Sequence, residues 1–128
     1  MNPIYVDIRE LLIAVGFESA DIFGAEWGSK YKQILILGSG GPASDLKNVY
    51  EIIDFQVLVR GDLTESDMDV YTIAKQVYTY LCGLGYSACI NDTNYQGFEP
   101  TSNLASIGKD ENSCFIYSMN FRSYRNAL

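Results

Sequence analysis

The segment from Thr64 to Leu84 constrains the fold most, because its apolar residues recur at intervals of three or four. This spacing puts them on one face of a helix, which Gly83 and Gly85 can end. Thr64 and Asp67 have the spacing of a capping box, and acidic residues are favoured at a helix N-terminus. The pattern therefore predicts a long helix whose buried face is formed by Val70, Ile73, Ala74, Val77, Leu81 and Leu84.

Two segments before this helix have the character of β-strands. The run QILIL at 33–37 is short, rich in β-branched residues and bounded by glycine. In VYEIIDFQVLVRG, residues Phe55, Val57 and Val59 alternate with their neighbours at the two-residue period of a strand. We expect the two strands to pair, with a loop of small residues at 38–46 between them.

The sequence after the long helix has no helical period. It predicts a strand or loop at 86–91, a loop to about residue 100, a strand at 103–107 and a last strand from Cys114 to Arg122. In the last strand, four large apolar residues share one face, namely Phe115, Tyr117, Met119 and Phe121.

The N-terminal segment NPIYVDIRELLIAVGF is typical of an amphipathic helix that begins near Pro3 and stops at Gly16. Its predicted apolar residues are Ile4, Ile8, Leu11, Leu12 and Val15. The order of helices and strands predicts an α+β fold, with a mixed, antiparallel-rich sheet packed against two helices. A chain of 128 residues, about half of them apolar, is expected to form a single domain over 1–128.

Composition argues against several functions. Sixteen acidic and nine basic residues give a net charge of −7, and duplex nucleic acid needs a basic face, so sequence-specific nucleic-acid binding is not expected. Histidine is absent, which removes the Ser-His-Asp triad and imidazole metal sites. The three cysteines, Cys82, Cys89 and Cys114, lack C-x-x-C spacing and are expected to be reduced thiols. We therefore expect no cofactor, no metal and, without an apolar spanning run, no membrane partner.

Two stretches invite a ligand-binding interpretation. LGSGGPASDL, at 37–46, follows a strand, but Pro42 stands where a P-loop requires lysine after its last glycine. RGDLTESDMD, at 60–69, is rich in carboxylates but lacks the spacing of an EF-hand loop. We interpret the first as a strand-to-strand loop and the second as the N-terminus of the long helix.

The stretch KDEN lies between the last two predicted strands, where Gly108, Asp110 and Asn112 supply turn-forming residues. We interpret it as the tip of a six-residue hairpin connection. Adjacent carboxylates point in different directions in most turns, so Asp110 and Glu111 make a poor acid/base pair. The predicted partner-interface residues, in this hairpin and in or directly after the loop at 38–46, are Lys109, Asp110, Glu111, Asn112, Ser39, Asp45 and Lys47.

Aromatic residues are abundant, with ten tyrosines and six phenylalanines. Tyr71 and Tyr78 lie beside the apolar face of the long helix, and Tyr117 and Phe121 share one face of the last strand. This spacing is typical of a core and its margin. Because aromatic residues are also enriched in protein interfaces, a self-association surface stays open as a second interpretation.

Four segments, in their order along the chain, resemble the minor capsid and tail-terminator family of tailed bacteriophages. They are IRELLIAVGFESADIFGAEW, ILILGSGGPASDLKNVYEIIDFQVLVRG, VYTYLCGL and IGKDENSCFIYSMNFRSYR, and together they span most of the chain. The order of the segments carries the resemblance, above all I-G-x-D-E-N before an alternating strand that ends in N-F-R. Residues 92–106 match no segment of the family.

The resemblance implies a structural protein of the virion, assembled in the host cytoplasm, that forms a ring of typically six copies at the head-proximal end of the tail tube. There it stops tube growth and offers a surface to the head connector. It brings no catalytic residue with it. Two alternatives stay open: a head-side stopper or completion protein, and a small hydrolase or ligand-binding module that requires Asp62, Asp67, Asp110 and Glu111 to converge.

Overall fold

The computed structural model describes residues 2–24, 31–40, 51–83 and 88–127. Within these ranges the helices are α1 (Ile4–Ala14) and α2 (Asp67–Gly83). The strands are β1 (Ile22–Gly24), β2 (Gln33–Gly40), β3 (Glu51–Arg60), β4 (Ala88–Ile90), β5 (Thr93–Pro100), β6 (Ala105–Lys109) and β7 (Phe115–Ala127). As far as the described ranges extend, no helix is both long enough and apolar enough to cross a membrane.

The strands form one sheet in the order β1-β2-β3-β7-β5-β4, with β6 beside β7. β1 and β2 are parallel, and the other described pairs are antiparallel. One edge of β7 pairs with β3, and its other edge pairs first with β6 and then with β5. This long strand is the centre of the sheet. The predicted α+β fold, with a mixed, antiparallel-rich sheet and two helices, is confirmed.

Both helices pack their apolar stripes against the same face of the sheet. Ile8 and Leu12 of α1 and Val77 of α2 are fully buried in the cluster that this face forms. On the sheet, the rings of Phe55 and Phe121 face each other across β3 and β7 and stack with centroids 5.4 Å apart. Full burial of one such side chain contributes about 1.5–3 kcal/mol, so this face holds the core.

The N-terminal predictions are confirmed in outline. α1 begins after Pro3 and ends before Gly16, whose φ of 109° is a left-handed conformation that glycine adopts readily. β2 and β3 pair antiparallel, as expected. The prediction that Val15 belongs to the buried face is wrong, because the helix ends at Ala14 and Val15 is 46% exposed.

The start of α2 is capped differently from the prediction. The backbone amide of Ser66 donates to Asp69 Oδ2 at 3.0 Å, and the amide of Asp69 donates to Ser66 Oγ at 3.3 Å. These reciprocal bonds form a capping box. The box predicted at Thr64 and Asp67 is wrong, because Thr64 lies in a separate turn at 62–65 that precedes the helix.

The largest error of the sequence analysis concerns residues 93–100, which are predicted as loop and form β5. Asn91 and Asp92 have φ values of 50° and 60° and make a two-residue turn between β4 and β5. β5 then contains an irregularity in register between Tyr95 and Gly97. A bulge of this kind interrupts the alternation by which a strand is identified in a sequence.

The last two strands form with bounds that differ from the prediction. β6 is displaced from 103–107 to Ala105–Lys109, and β7 continues beyond Arg122 to Ala127. The added length of β7 is the part that pairs with β5. The failure to predict β5 and the underestimated length of β7 are therefore one error, since the two strands pair with each other.

A polar network fastens the C-terminal end of β7 to α1; it consists of Asp7, Tyr95 and Arg125, which are buried, and of Asn91, which is exposed. The Asn91 side-chain amide donates to Asp7 Oδ1 at 2.9 Å, and the Tyr95 hydroxyl donates to Asp7 Oδ2. Arg125 Nη1 lies 3.9 Å from Asp7 Oδ2 and donates to the Tyr95 oxygen at 3.2 Å. Asp7 and Tyr95 are fully buried. Burial, and then the hydrogen bond to Asp7, raise the pKa of Tyr95 and keep it a neutral donor.

Candidate interaction surface

The hairpin between β6 and β7 is closed by Asp110, one of the predicted interface residues. Its backbone amide donates to the Cys114 carbonyl at 2.9 Å. Its Oδ1 accepts hydrogen bonds from the amides of Asn112 and Cys114, both at 2.9 Å. The connection therefore runs over 110–114, one residue shorter than predicted and shifted toward β7.

A second contact holds Asp110 to the end of β3. Its Oδ2 lies 3.5 Å from Arg60 Nη1, and both side chains are mostly buried. Arg60 also donates from Nε to the Tyr31 carbonyl at 2.7 Å. Burial, and then the nearby Asp110 charge, raise the pKa of the Cys114 thiol. Both carboxylate oxygens of Asp110 are thus engaged, Oδ1 within the turn and Oδ2 with Arg60.

The other predicted residues of the hairpin have different environments. Lys109 Nζ lies 4.8 Å from the centroid of the Phe115 ring, which is a cation–π contact. Glu111 and Asn112 are exposed, and the Glu111 side chain makes no hydrogen bond or ion pair with the other described residues. The structure therefore separates Asp110, which stabilises the turn, from Glu111, whose carboxylate faces solvent.

The second predicted contact loop, at 38–46, is described only as far as Gly40. Its first residues continue β2, and Ser39 is an exposed residue at an irregularity in the pairing of β2 with β3. Asp45 and Lys47 lie outside the described residues. Of the predicted interface residues in this part of the chain, Ser39 is therefore the one that the described structure places, and it lies at the surface.

The acidic stretch before α2 stabilises local structure. Asp62 Oδ1 accepts a hydrogen bond from the Leu63 amide at 2.6 Å, and the Asp62 amide donates to Glu65 Oε1 at 2.9 Å. Asp67 Oδ1 accepts the hydroxyl of Tyr117 at 2.8 Å. Burial, and then this hydrogen bond, raise the pKa of Tyr117. These carboxylates therefore act in turns, caps and a tyrosine contact.

A carboxylate hydrolase would need carboxyl groups that converge on one cleft and are free to act. Asp62 and Asp110 both lie near the Cys114 thiol, but each is held by the hydrogen bonds of its own turn. Asp67 is bound to Tyr117, and Glu111 faces solvent. In the part of the chain that the structure describes, no three side chains form a group that could hold a metal ion.

Four exposed apolar side chains occupy the end of the sheet where this hairpin lies. They are Leu63, Met68, Tyr71 and Ile107, with exposed fractions of 53%, 68%, 39% and 55%. We call these four residues the terminal patch. Six large apolar side chains are exposed among the described residues, and these four are the majority of them. Exposed apolar surface is therefore concentrated at this end.

Contacts of Tyr117, at the start of β7, connect α2 and β6 within this region. Its ring packs against Tyr71 with centroids 5.6 Å apart, and its hydroxyl binds Asp67, the residue before Met68. In the sheet, Tyr117 lies opposite Ser106, the residue before Ile107. The contact of Tyr71 with Tyr117 supports the interpretation of these tyrosines as core margin.

Sequence reasoning did not identify the terminal patch, although a signal was present. Leu63 and Met68 are large apolar residues that fall outside the predicted buried face of the helix. Tyr71 follows Met68 by three positions, so the two share one side of α2. Apolar residues that a periodic pattern leaves unassigned are candidates for an interface.

Comparison with solved structures shows that the fold of this chain also occurs in another protein. The structure is similar to a chain of the virion of a native gene transfer agent particle, with a TM-score of 0.71 and 14% sequence identity. The alignment covers 94% of this chain and 92% of that chain, so the two share a whole fold. No curated protein sequence matches the chain.

The family follows from the sequence. The family model described as bacteriophage tail terminator protein matches residues 18–123. The chain therefore belongs to the bacteriophage tail terminator family, and the predicted resemblance is confirmed. It is a structural protein of a phage tail and a component of the virion.

Proposed function

We propose that this chain caps the head-proximal end of the tail tube, ends tube growth and joins the tail to the head connector. The observation that carries the proposal is the family match, which runs from residue 18 to residue 123 and so includes β1 to β6 and β7 as far as Ser123. In this proposal the chain assembles in the host cytoplasm as a single domain. It acts as a ring, with six copies as the family resemblance implies, and its partners are itself, the tube protein and the connector.

A non-enzymatic role is part of this proposal. Three of the four carboxylates considered for a hydrolase, Asp62, Asp67 and Asp110, are held in turns or by Tyr117, and the fourth, Glu111, faces solvent alone. A ring subunit needs two different surfaces for its neighbours and further surfaces for the layers above and below. The exposed hairpin tip at Glu111 and the exposed Ser39 are suited to contacts of that second kind.

The test is a tube-length experiment. Purified chain is added to polymerising tail tube protein, and tube lengths and ends are measured by negative-stain electron microscopy. The proposal predicts shorter tubes with added ring density at one end, and light scattering of the purified chain should detect a ring-sized oligomer. A strict monomer that leaves tube growth unlimited would contradict the proposal. Immunogold labelling distinguishes this proposal from the alternative of a head-side stopper. A stopper would be labelled on isolated heads, and a tail terminator on isolated tails.

A further inference from the structure

We propose that the terminal patch is the surface through which this chain binds a different protein of the virion, one that presents apolar side chains flanked by lysine or arginine. The inference rests on the proposed function, because it assumes that the chain joins other tail components. It adds the site of contact and the chemistry of the partner. Three observations carry it: the exposed apolar side chains, their rigid support and the sign of the surrounding charge.

The apolar side chains of the patch are too exposed to serve the core. Met68 is 68% exposed, and Leu63 and Ile107 are each more than half exposed. Leu63 lies in the turn before α2, Met68 lies in the first turn of α2, and Ile107 lies in β6. These elements meet at Tyr117, which packs against Tyr71 and pairs with Ser106. An apolar area of this kind on a structural protein marks a surface that another protein covers.

The patch stands on rigid supports. The capping box of Ser66 and Asp69 fixes the first turn of α2, and the Asp67–Tyr117 hydrogen bond ties that turn to β7. The hairpin beside the patch is closed by four hydrogen bonds of Asp110 within its own turn. A surface that is already ordered loses little conformational entropy on binding, which favours affinity.

The charge around the patch is negative. Asp62, Asp67, Asp69 and Glu111 are exposed beside it. The nearby cations are already engaged: Lys32 lies 4.0 Å from Glu65, Arg60 pairs with Asp110, and Lys109 covers Phe115. Complementary potentials favour association and exclude like-charged partners. The patch therefore selects a partner with a basic rim.

A second copy of this chain fits that description poorly. Two of its nine basic residues, Lys30 and Lys47, lie outside the described residues. The other seven each contact an acidic side chain, a carbonyl oxygen or an aromatic ring of their own chain; they are Arg9, Lys32, Arg60, Lys75, Lys109, Arg122 and Arg125. The described surface of a copy thus offers few free cations, and a different, basic protein fits better.

The experiment measures binding of the purified chain to two probes, the tail tube protein and the head connector protein of the same particle. The test variant is the double substitution Met68→Ser with Ile107→Ser, and Val15→Ser is the matched control, since Val15 is also exposed but lies outside the patch. We expect the double variant to bind one of the two probes about tenfold or more weakly, and the control to bind it normally. Equal thermal unfolding of the three proteins would show that the fold is retained.

Charge is tested separately with Glu111→Lys. We expect this variant to bind the same probe more weakly. Wild-type binding should also weaken when NaCl is raised from about 50 to about 500 mM, because screening removes the attraction.

The outcomes separate this inference from the proposed function. If the wild type caps tubes and the double variant caps and binds equally well, the inference is overturned and the proposed function stands. A double variant that loses its oligomer but not its binding would also overturn it, by assigning the patch to contacts between copies. A wild type that neither caps tubes nor binds either probe would overturn the proposed function, and this inference with it.

Discussion

The two ends of β7 bury and expose opposite kinds of side chain. At its C-terminal end, Arg125 joins Asp7 and Tyr95 in a polar network that is almost completely closed to solvent. At its N-terminal end, Tyr117 supports the terminal patch, where Met68 and Ile107 are more than half exposed. The N-terminal end also holds a mostly buried ion pair, Arg60 with Asp110, so the difference is that this end shows apolar surface and the C-terminal end does not.

We interpret the buried end as serving the fold, and the terminal patch as serving the assembly proposed above. Burying charge is costly unless the groups are paired and hydrogen-bonded, so the network is retained only where its partners are fixed. Those partners come from α1, the β4–β5 turn, β5 and β7, so the network joins the two ends of the chain. Exposed apolar side chains give nothing to the isolated fold, and covering them stabilises a complex.

The substitution Asp7→Ala is expected to have the largest effect and tests whether the polar network at the C-terminal end of β7 stabilises the fold. The substitution leaves Arg125 buried without its nearest buried carboxylate and removes the acceptor of the Tyr95 and Asn91 hydrogen bonds. We expect the free energy of unfolding to fall by about 3–5 kcal/mol, measured by urea denaturation. Met68→Ser is the contrast at the other end of β7 and should change it by less than about 0.5 kcal/mol. Similar losses in both variants would contradict the division between the two ends.

The hairpin allows the contributions of two adjacent acidic residues, Asp110 and Glu111, to stability to be compared. Asp110→Ala removes the acceptor for two backbone amides and the partner of Arg60, so we expect a loss of about 1–3 kcal/mol in unfolding free energy. Glu111→Ala should change it by less than about 0.5 kcal/mol, because its side chain faces solvent. Chemical denaturation of the two variants side by side measures both. Equal stability of the two would show that Asp110 does not hold the turn.

The network end also contains a polar group that its surroundings leave unsatisfied. The Thr93 hydroxyl is fully buried and finds no hydrogen-bond partner among the described residues. Thr93→Val keeps the shape and removes the hydroxyl, so we expect a gain of about 1 kcal/mol in unfolding free energy. Thr101→Val, at an exposed position, is the matched control and should have little effect. A loss of stability in Thr93→Val would reveal a partner for this hydroxyl.

The smallest expected effect concerns Asp54 and Arg122, a half-exposed ion pair between the two ends. Arg122 Nε and Nη2 donate to the Asp54 carboxylate at 2.7 and 3.0 Å. These hydrogen bonds lower the pKa of Asp54 below its usual 3.8, against the opposing effect of partial burial. A lowered folded-state pKa stabilises the fold above the unfolded pKa, and the contribution is lost as pH falls through the folded pKa.

Asp54→Asn tests this sign. The difference in unfolding stability between wild type and variant should be constant above about pH 5 and should shrink as pH falls below about 4. Guanidinium or urea titrations at several pH values provide the measurement. A difference that grows toward low pH would show that the pair does not favour the ionised carboxylate.

The elements that sequence reasoning predicted correctly are those whose burial follows a regular period. α2 and β3 each place apolar residues on a single face without interruption, and both formed; α2 begins at Asp67 instead of Thr64, and the predicted Leu84 lies outside the described residues. β5 did not, because its polar residues, its glycine and its bulge between Tyr95 and Gly97 hide the alternation. The Asn91-Asp92 turn was the available signal for this hairpin, since both residues tolerate the positive φ that such turns require.

The candidate surface was predictable only in part. The position of the hairpin follows from Gly108, Asp110 and Asn112, but the inward orientation of Asp110 depends on Arg60, which lies far away in the sequence. The exposure of Met68 and Ile107 depends likewise on how α2 and β6 meet β7. Long-range contacts of this kind leave no periodic signature, and so the division of roles between Asp110 and Glu111 required the structure.

Hydrogen exchange, followed by mass spectrometry on the purified chain and on the same chain in isolated tails, tests the central claim most directly. The account predicts slower exchange in tails at 62–71 and 105–110, the segments of the terminal patch and the adjoining hairpin. It predicts no change at 88–95, beside the buried network, where the fold is complete without a partner. Protection confined to 88–95, with unchanged exchange at 62–71, would contradict the account.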